Sequence, residues 1–171
     1  MIIPAEIQQY IQSLNVPLSL ADGSVEDMPL LQVNPSFESL TGYASENIVG
    51  KNCRFLQAEL EQVDTRQIIR SALDASKPCQ TVLKNKKKSG QIFDNLLFLF
   101  PLEFKDGSLM YLGSQFELQP EQSPEQALDR GKYLSDTLNR LHKESRILSK
   151  QHAEAVSDGL VASVRHLIMR S

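Results

Sequence analysis

The apolar positions change their period several times along the chain, and each change marks a predicted element. Ile7, Tyr10, Ile11 and Leu14 recur at helical spacing behind Pro4, which predicts a short amphipathic helix over about 4–14 that Pro17 stops. Residues 16–21 and 30–33 read as two short strands, parted by a turn-rich stretch with Asp22, Gly23 and Pro29. Pro35 to Thr41 reads as a short helix ended by Gly42. Ser45 to Val49 reads as another, with Ser45 as its N-cap and Gly50 at its end. Val63, Ile68, Ile69, Ala72 and Leu73 form the apolar face of a longer helix over 62–76. Beyond it the period drops to two. Three extended segments, about 79–86, 91–103 and 108–118, are separated by the turn sequences Lys88-Ser89-Gly90 and Lys105-Asp106-Gly107, which predicts an antiparallel meander.

The resulting order, β-β-α-α-α-α-β-β-β over residues 16–118, predicts an α+β core: a five-stranded antiparallel sheet with helices on one face. Residues 1–15 make an N-terminal cap helix, and residues 119–171 a C-terminal extension of two helices. Gln119 to Pro124 is a polar linker, and Ser123-Pro124-Glu125-Gln126 is a helix start with Ser as N-cap and Pro at the first helical position. Leu134, Leu138, Leu141 and Leu148 share one stripe; Val156, Leu160, Val164, Leu167 and Ile168 share a second. Neither helix hides its stripe alone, so each is expected to pack on the other, on the sheet or on a partner chain.

The late strands are apolar on both faces. Phe93, Asn95, Leu97 and Leu99 alternate onto one face, where Tyr111, Gly113 and Gln115 also group, and Asn85 ends the first strand of the meander. The opposite face carries Leu96, Phe98, Phe100, Met110, Leu112 and Phe116. A small antiparallel sheet commonly leaves one face to water, so a second apolar face implies a cover: the terminal helices or a second subunit.

Composition narrows the classes. The chain has 171 residues, 41% hydrophobic and 23% charged, with net charge −3, which suits one core plus appended structure. That balance makes no case for nucleic acid or an anionic membrane surface. The run Leu96-Leu97-Phe98-Leu99-Phe100 is too short to span a bilayer, and Met1-Ile2-Ile3-Pro4 opens no visible leader. With two cysteines there is no disulfide framework; a cytoplasmic protein with free thiols is expected.

One of those thiols sits in the stretch with the most chemistry, Gly50 to Gln57. Cys53 is flanked there by Asn52 and Arg54. A lone cysteine is more often inert than reactive. A cysteine hydrolase needs a histidine base, and His142, His152 and His166 all fall in the C-terminal extension. No Cys/His cluster points to a metal, and no glycine-rich phosphate loop is present. Arg66 and Arg70 share a helix face, and Arg54 adjoins Cys53. Converged, the three would suit a phosphate; taken singly, each is an ordinary solvated cation. Asn85, Asn95 and Gln115 point at an otherwise apolar interior, where an unpaired amide costs about 1–3 kcal/mol. They can pair with each other or with backbone, or they can read the donor and acceptor edge of a flat heterocycle, for which Gly113 leaves room. Lys84, Lys86, Lys87 and Lys88 read as a solvated hairpin end, and Cys79 as structural.

In order along the chain, Asn34-Pro35-x-Phe37, Thr41-Gly42-Tyr43, Gly50-x-Asn52-Cys53-Arg54-Phe55-Leu56-Gln57, Ile69-Arg70, Asn85, Phe93-x-Asn95 and Gly113-x-Gln115 resemble LOV domains, the blue-light-sensing, flavin-binding branch of the PAS fold, over roughly 16–118. The resemblance implies a photoreceptor, not an enzyme, holding a non-covalent flavin: FMN in preference to riboflavin or FAD, given the arginines. Cys53 is then the thiol that adds reversibly to flavin C4a under blue light. Asn52 shapes its turn, Gln57 meets the ribityl chain, Arg54 and Arg70 hold the phosphate, and Arg66 joins them. Asn85 and Asn95 read the pyrimidine edge, Leu97, Leu99 and Gly113 line the ring, and Gln115 senses protonation at N5 and passes the change into the sheet.

Three positions depart from the family pattern: Ala58 for glycine, Lys86 for an aromatic and Met28 for asparagine. They are expected to alter flavin affinity, solvent access or dark recovery. The resemblance also implies signalling through the terminal helices, a homodimer built on those helices and the outer sheet face, and an unidentified downstream protein. About fifty residues after the core are too few for a kinase. The alternative is a PAS ligand-binding or dimerisation module without photochemistry; a flavin redox or thiol enzyme lacks a site for its electron donor.

Overall fold

Strand alternation and one buried asparagine account for most of the architecture. A computed structural model of the chain describes residues 3–57, 59–104, 106–118, 154–166 and 168–169. The elements are α1 (Ala5–Ser13), β1 (Leu18–Asp22), β2 (Leu30–Val33), α2 (Pro35–Thr41), α3 (Ser45–Ile48), a 3-10 turn (Cys53–Leu56), α4 (Val63–Asp74), β3 (Cys79–Lys86), β4 (Ile92–Glu103) and β5 (Leu109–Leu118). A C-terminal helix, α5, covers 154–166, with 168–169 also helical. The sheet is antiparallel in the order β2-β1-β5-β4-β3, so the first strand closes against the last. The predicted first helix of the extension, with its stripe from Leu134 to Leu148, lies outside the described residues.

The two sheet faces do different work. On the outer face, Ile7 and Ile11 of α1 and Leu160, Val161, Val164 and Ile168 of the C-terminal segment pack with Leu18, Leu20, Leu102, Met110 and Leu112. The terminal helices therefore supply the cover that this apolar face requires. Further along, Leu96 and Phe98 pack with Phe100, Phe116 and Leu118, and the rings of Phe98 and Phe116 meet edge to face at 5.9 Å. On the inner face, Leu30, Val33, Phe37, Ile48 and Leu56 bind α2, α3 and the 3-10 turn to β2. The open edge of β3 is blunted where the Gln62 side chain pairs with both the N–H and the C=O of Lys84.

Two local expectations are corrected. Ser45 is not the cap of α3; Ala44 occupies that position, and Ser45 N–H donates to a carboxylate oxygen of Glu38, reaching over from α2. A charged acceptor from a neighbouring helix has displaced the local hydroxyl. The apolar face of α4 is not buried either: no α4 residue is, and Val63 and Ile68 are 74% and 52% exposed. The helix runs beside β3 and stands over a cavity, which Ile69 and Leu73 turn inward to line.

Asn34 joins the elements that flank this cavity. It is fully buried; its Oδ1 accepts from Leu18 N (2.9 Å) and Phe37 N (3.0 Å), and its Nδ2 donates to the carbonyls of Ile11 (3.2 Å), Leu14 (3.0 Å) and Val16 (2.7 Å). One side chain thus caps α2, starts β1 and ends α1. Asn34→Ala, which strands several buried backbone groups, should cost about 2–4 kcal/mol. Urea unfolding would register this as a lower midpoint at unchanged slope. Asn34→Asp, which keeps the acceptor but loses the N–H donors at neutral pH, should not restore the midpoint.

Candidate functional site

The turn that carries Cys53 is stitched to β2 before it reaches the cavity. Gly50, at φ 85°, makes the bend; its N–H donates to Leu30 O (2.8 Å), and Leu30 N–H donates to Lys51 O (2.9 Å). Asn52 then caps the 3-10 turn, Oδ1 accepting from Arg54 N (2.8 Å), while its Nδ2 donates to Asp27 O. Asp27 and Met28 are consecutive residues at positive φ, 70° and 43°. Such conformations cost of order 1–3 kcal/mol each and persist only where neighbours hold them. Here the Asn52 bond to Asp27 O and the Pro29–Asn52 bridge are the holders. Tyr43 and Phe55 meet edge to face at 5.0 Å behind the turn.

Cys53 lines an inner chamber of about 110 Å³ with an apolar majority: Ala21, Leu30, Leu56, Leu83, Leu97 and Leu99 among its walls. Burial pushes the thiol up to about 12. It is a neutral S–H throughout the physiological range.

The sheet supplies the polar part of the wall. Asn85 on β3, Asn95 on β4 and Gln115 on β5 all line the chamber, and none is more than 3% exposed. Leu97 pairs with Gln115 and Leu99 with Gly113 across the β4–β5 ladder, so the amides alternate with leucines on one face. Gln115 Nε2 donates to Ser19 Oγ (3.2 Å). The Oδ1 atoms of Asn85 and Asn95 and the Oε1 of Gln115 have no hydrogen-bond partner among the described residues. A Cβ at Gly113 would come within 2.7 Å of Ser19 Oγ and 2.9 Å of Gln115 Nε2, so glycine is needed to keep this wall flat.

An outer chamber of about 440 Å³ shares Met28, Asn52, Arg54, Gln57, Ile69 and Leu73 with the inner one and adds Asp27, Arg66, Arg70 and Asp74. Arg66 Nε donates to Gln57 Oε1 (3.0 Å), and its Nη2 donates to Leu60 O (3.1 Å). Arg54 pairs with Asp27 at 2.7 Å, both side chains about 60% exposed. An ion pair so exposed is worth about 0–1 kcal/mol, so Arg54 is readily exchanged to another anion. The two chambers therefore offer a flat, mostly apolar slot with three amide acceptors and a cationic mouth.

Ten of the residues singled out from sequence converge on the inner chamber: Asn52, Cys53, Arg54, Gln57, Asn85, Asn95, Leu97, Leu99, Gly113 and Gln115. Arg66 and Arg70 reach the outer chamber alone. Met28 lies between the two, whereas Lys86 is exposed and lines neither, because alternation along β3 turns it away from Asn85. Ala58 lies outside the described residues, as do His142 and His152, and His166 is exposed on α5. Among the described residues no His/Cys/Asp/Glu group could hold a metal. Sequence reasoning missed Ser19, Asp27 and the tie from Tyr111 Oη to Leu73 O (2.9 Å). Only Ser19 carried a signal, as a polar residue in a short apolar strand.

A buried neutral thiol should resist alkylation. In Cys79→Ala protein at pH 8, Cys53 should react with iodoacetamide more slowly than an ordinary thiol, because desolvation holds its pKa above the usual thiol range. Its rate should still climb at pH 11; a plateau near pH 9 would contradict the burial. The sign of the stability effect follows as well. The unfolded chain ionises first as pH rises above about 9, so this thiol contributes less stability with increasing pH.

Residues 21–119 match the PAS domain family model. The chain is 33% identical over 125 residues to blue-light-activated histidine kinase 2 of Erythrobacter litoralis, covering 72% of this chain and 36% of that protein. It spans about a third or less of the curated relatives it matches. Among solved structures, the Rhodobacter sphaeroides LOV protein superposes with TM-score 0.64 at 35% identity, over 90% of this chain and 94% of that one. The LOV domain from the Erythrobacter litoralis EL346 blue-light activated histidine kinase gives TM-score 0.59 at 33% identity, over 63% of this chain and 99% of that one. The chain belongs to the LOV branch of the PAS superfamily.

Proposed function

We propose that the chain is a blue-light photoreceptor that holds FMN in the two chambers and signals through its terminal helices. The observation that carries this is the set of three buried amide oxygens, on Asn85, Asn95 and Gln115, that have no partner among the described residues and lie opposite a neutral thiol. A flavin's pyrimidine edge carries one N–H between two C=O groups, so it would donate to one of these amides and accept from the NH2 groups of the others, each amide turned to match. Asn85 and Asn95 hold that edge, Leu97, Leu99 and Gly113 bound the ring, Gln57 meets the ribityl chain, and Arg54, Arg66 and Arg70 take the phosphate. Arg70, exposed at the mouth with no ion pair among the described residues, is the freest of the three.

When bound, the flavin supplies light absorption and, once excited, an electrophilic C4a carbon. Cys53 would face that carbon with a neutral thiol, offering both the sulfur and the proton that a reversible light-driven addition requires. No histidine base is needed, since the thiol enters as S–H. Gln115, tied to Ser19 and with an unpaired oxygen, is placed to answer a new proton. Residues 16–118 form the sensing core in this scheme, with 1–15 and 119–171 as its output, and two copies pair through the terminal helices and outer sheet face.

Purified protein should be yellow, bleach under blue light and recover in the dark; Cys53→Ala should stay yellow and fail to bleach. A colourless protein that takes up no flavin would favour a non-photochemical PAS module instead. Replacing Arg70 by alanine should weaken FMN by roughly tenfold and leave riboflavin unaffected, because that arginine meets only the phosphate in this scheme. Size-exclusion chromatography in darkness and blue light tests the dimer: a monomer in both removes it.

A further inference from the structure

The C-terminal helix is seated mostly by aliphatic side chains; besides an exposed bond from Gln80 Nε2 to Glu154 (2.9 Å), it makes one buried polar contact with the sheet. Ser114 Oγ and Ser157 Oγ lie 2.7 Å apart, and both residues are buried, Ser157 completely. Around them the interface is Leu160, Val161, Val164 and Ile168 against Leu18, Leu20 and Leu112. Ser163, on the same helix, turns back to its own Gly159 carbonyl (3.0 Å), whereas Ser157 reaches across to the sheet.

The position on β5 gives this pair its meaning. Ser114 stands between Gly113 and Gln115, both of which line the inner chamber on the other face of the sheet. Gln115 Nε2 holds Ser19 Oγ on the inner side, and Gln115 N–H donates to Pro17 O (3.0 Å). Consecutive residues of a strand project to opposite faces. A displacement of β5 at Gln115 is therefore a displacement of Ser114 on the outer face. Aliphatic contacts tolerate such a slide because they have no preferred direction. A hydroxyl pair does not, since its strength falls steeply with distance and angle.

We propose that the Ser114–Ser157 hydroxyl pair is the contact through which the state of the inner chamber controls docking of the C-terminal helix. Movement of Gln115 shifts β5 and parts the two hydroxyls, which are then buried without partners. That penalty loosens the helix. The inference rests on the photoreceptor proposed above and names where its signal leaves the sheet.

The asymmetry of buried hydrogen bonds supplies the test. Removing one hydroxyl leaves the other stranded in darkness, whereas removing both leaves an apolar contact that light cannot break. Flavin-loaded full-length wild type, Ser114→Ala, Ser157→Ala and the double variant are compared by hydrogen exchange over residues 154–169, dark and lit, with bleaching and recovery recorded on the same samples. Either single variant should exchange about tenfold faster in darkness, approaching the lit wild type. The double variant should return to within about threefold of the dark wild type and lose its light response while bleaching normally. Single variants that behave as wild type, or a double variant that keeps the full response, would overturn the relay. A wild type that does not bleach refutes the photoreceptor itself, while one that bleaches without any change over 154–169 refutes the relay alone.

Discussion

Buried amide oxygens with no partner among the described residues are a constraint that the rest of this fold is arranged around. Asn85, Asn95 and Gln115 come from three adjacent strands, and each places such an oxygen in one apolar chamber. At about 1–3 kcal/mol apiece, three unsatisfied acceptors would consume a sizeable share of a small domain's stability. The architecture concentrates that cost in one place. Gly113 keeps the sheet wall flat, α4 runs beside β3 over the chamber, and the 3-10 turn brings a thiol to the facing side. Remove any of these and the amides could sink into ordinary packing.

The same residue type serves the opposite purpose elsewhere. Asn34 spends its whole hydrogen-bonding capacity on backbone and makes α1, β1 and α2 one unit. Asn52 stands between the extremes: it caps the Cys53 turn and holds Asp27 in a left-handed conformation. Asn34, fully satisfied, builds the fold, whereas the unsatisfied oxygens of Asn85, Asn95 and Gln115 meet in the site; a fourth, Gln32 Oε1 on β2, lies outside it. The distinction lies in the neighbours each amide is given, which is why asparagine content alone says nothing about function.

That difference also sets what can be read from the chain. The meander is legible because period-two alternation in β4 and β5 assigns each side chain to a face, and the same alternation delivers Asn95, Gly113 and Gln115 to one wall. Fold and site thus share a single signal. Contacts decided by distant residues are not legible in this way. Glu38 takes over the cap of α3 because α2 happens to lie within reach. Val63 and Ile68 stay exposed because α4 covers a cavity, although their spacing is that of a core helix. The Asp27–Arg54 pair depends on a strained turn, and the Ser114–Ser157 pair joins residues 43 positions apart.

The energetics of Cys53 fit a trigger that is silent at rest. With the thiol pushed up to about 12 and no histidine among the described residues lining the chamber, thiolate is scarce at neutral pH, by about five powers of ten. Thermal nucleophilic chemistry, which runs on the thiolate, is suppressed by the same desolvation. A neutral S–H nonetheless retains both elements that the proposed photochemistry consumes, the sulfur and its proton. Light then has to supply only the electrophile. In the proposed photoreceptor, desolvation, which would disable an ordinary cysteine enzyme, would separate the dark state from the lit one, and the apolar wall around Cys53 would keep the switch quiet until it is illuminated.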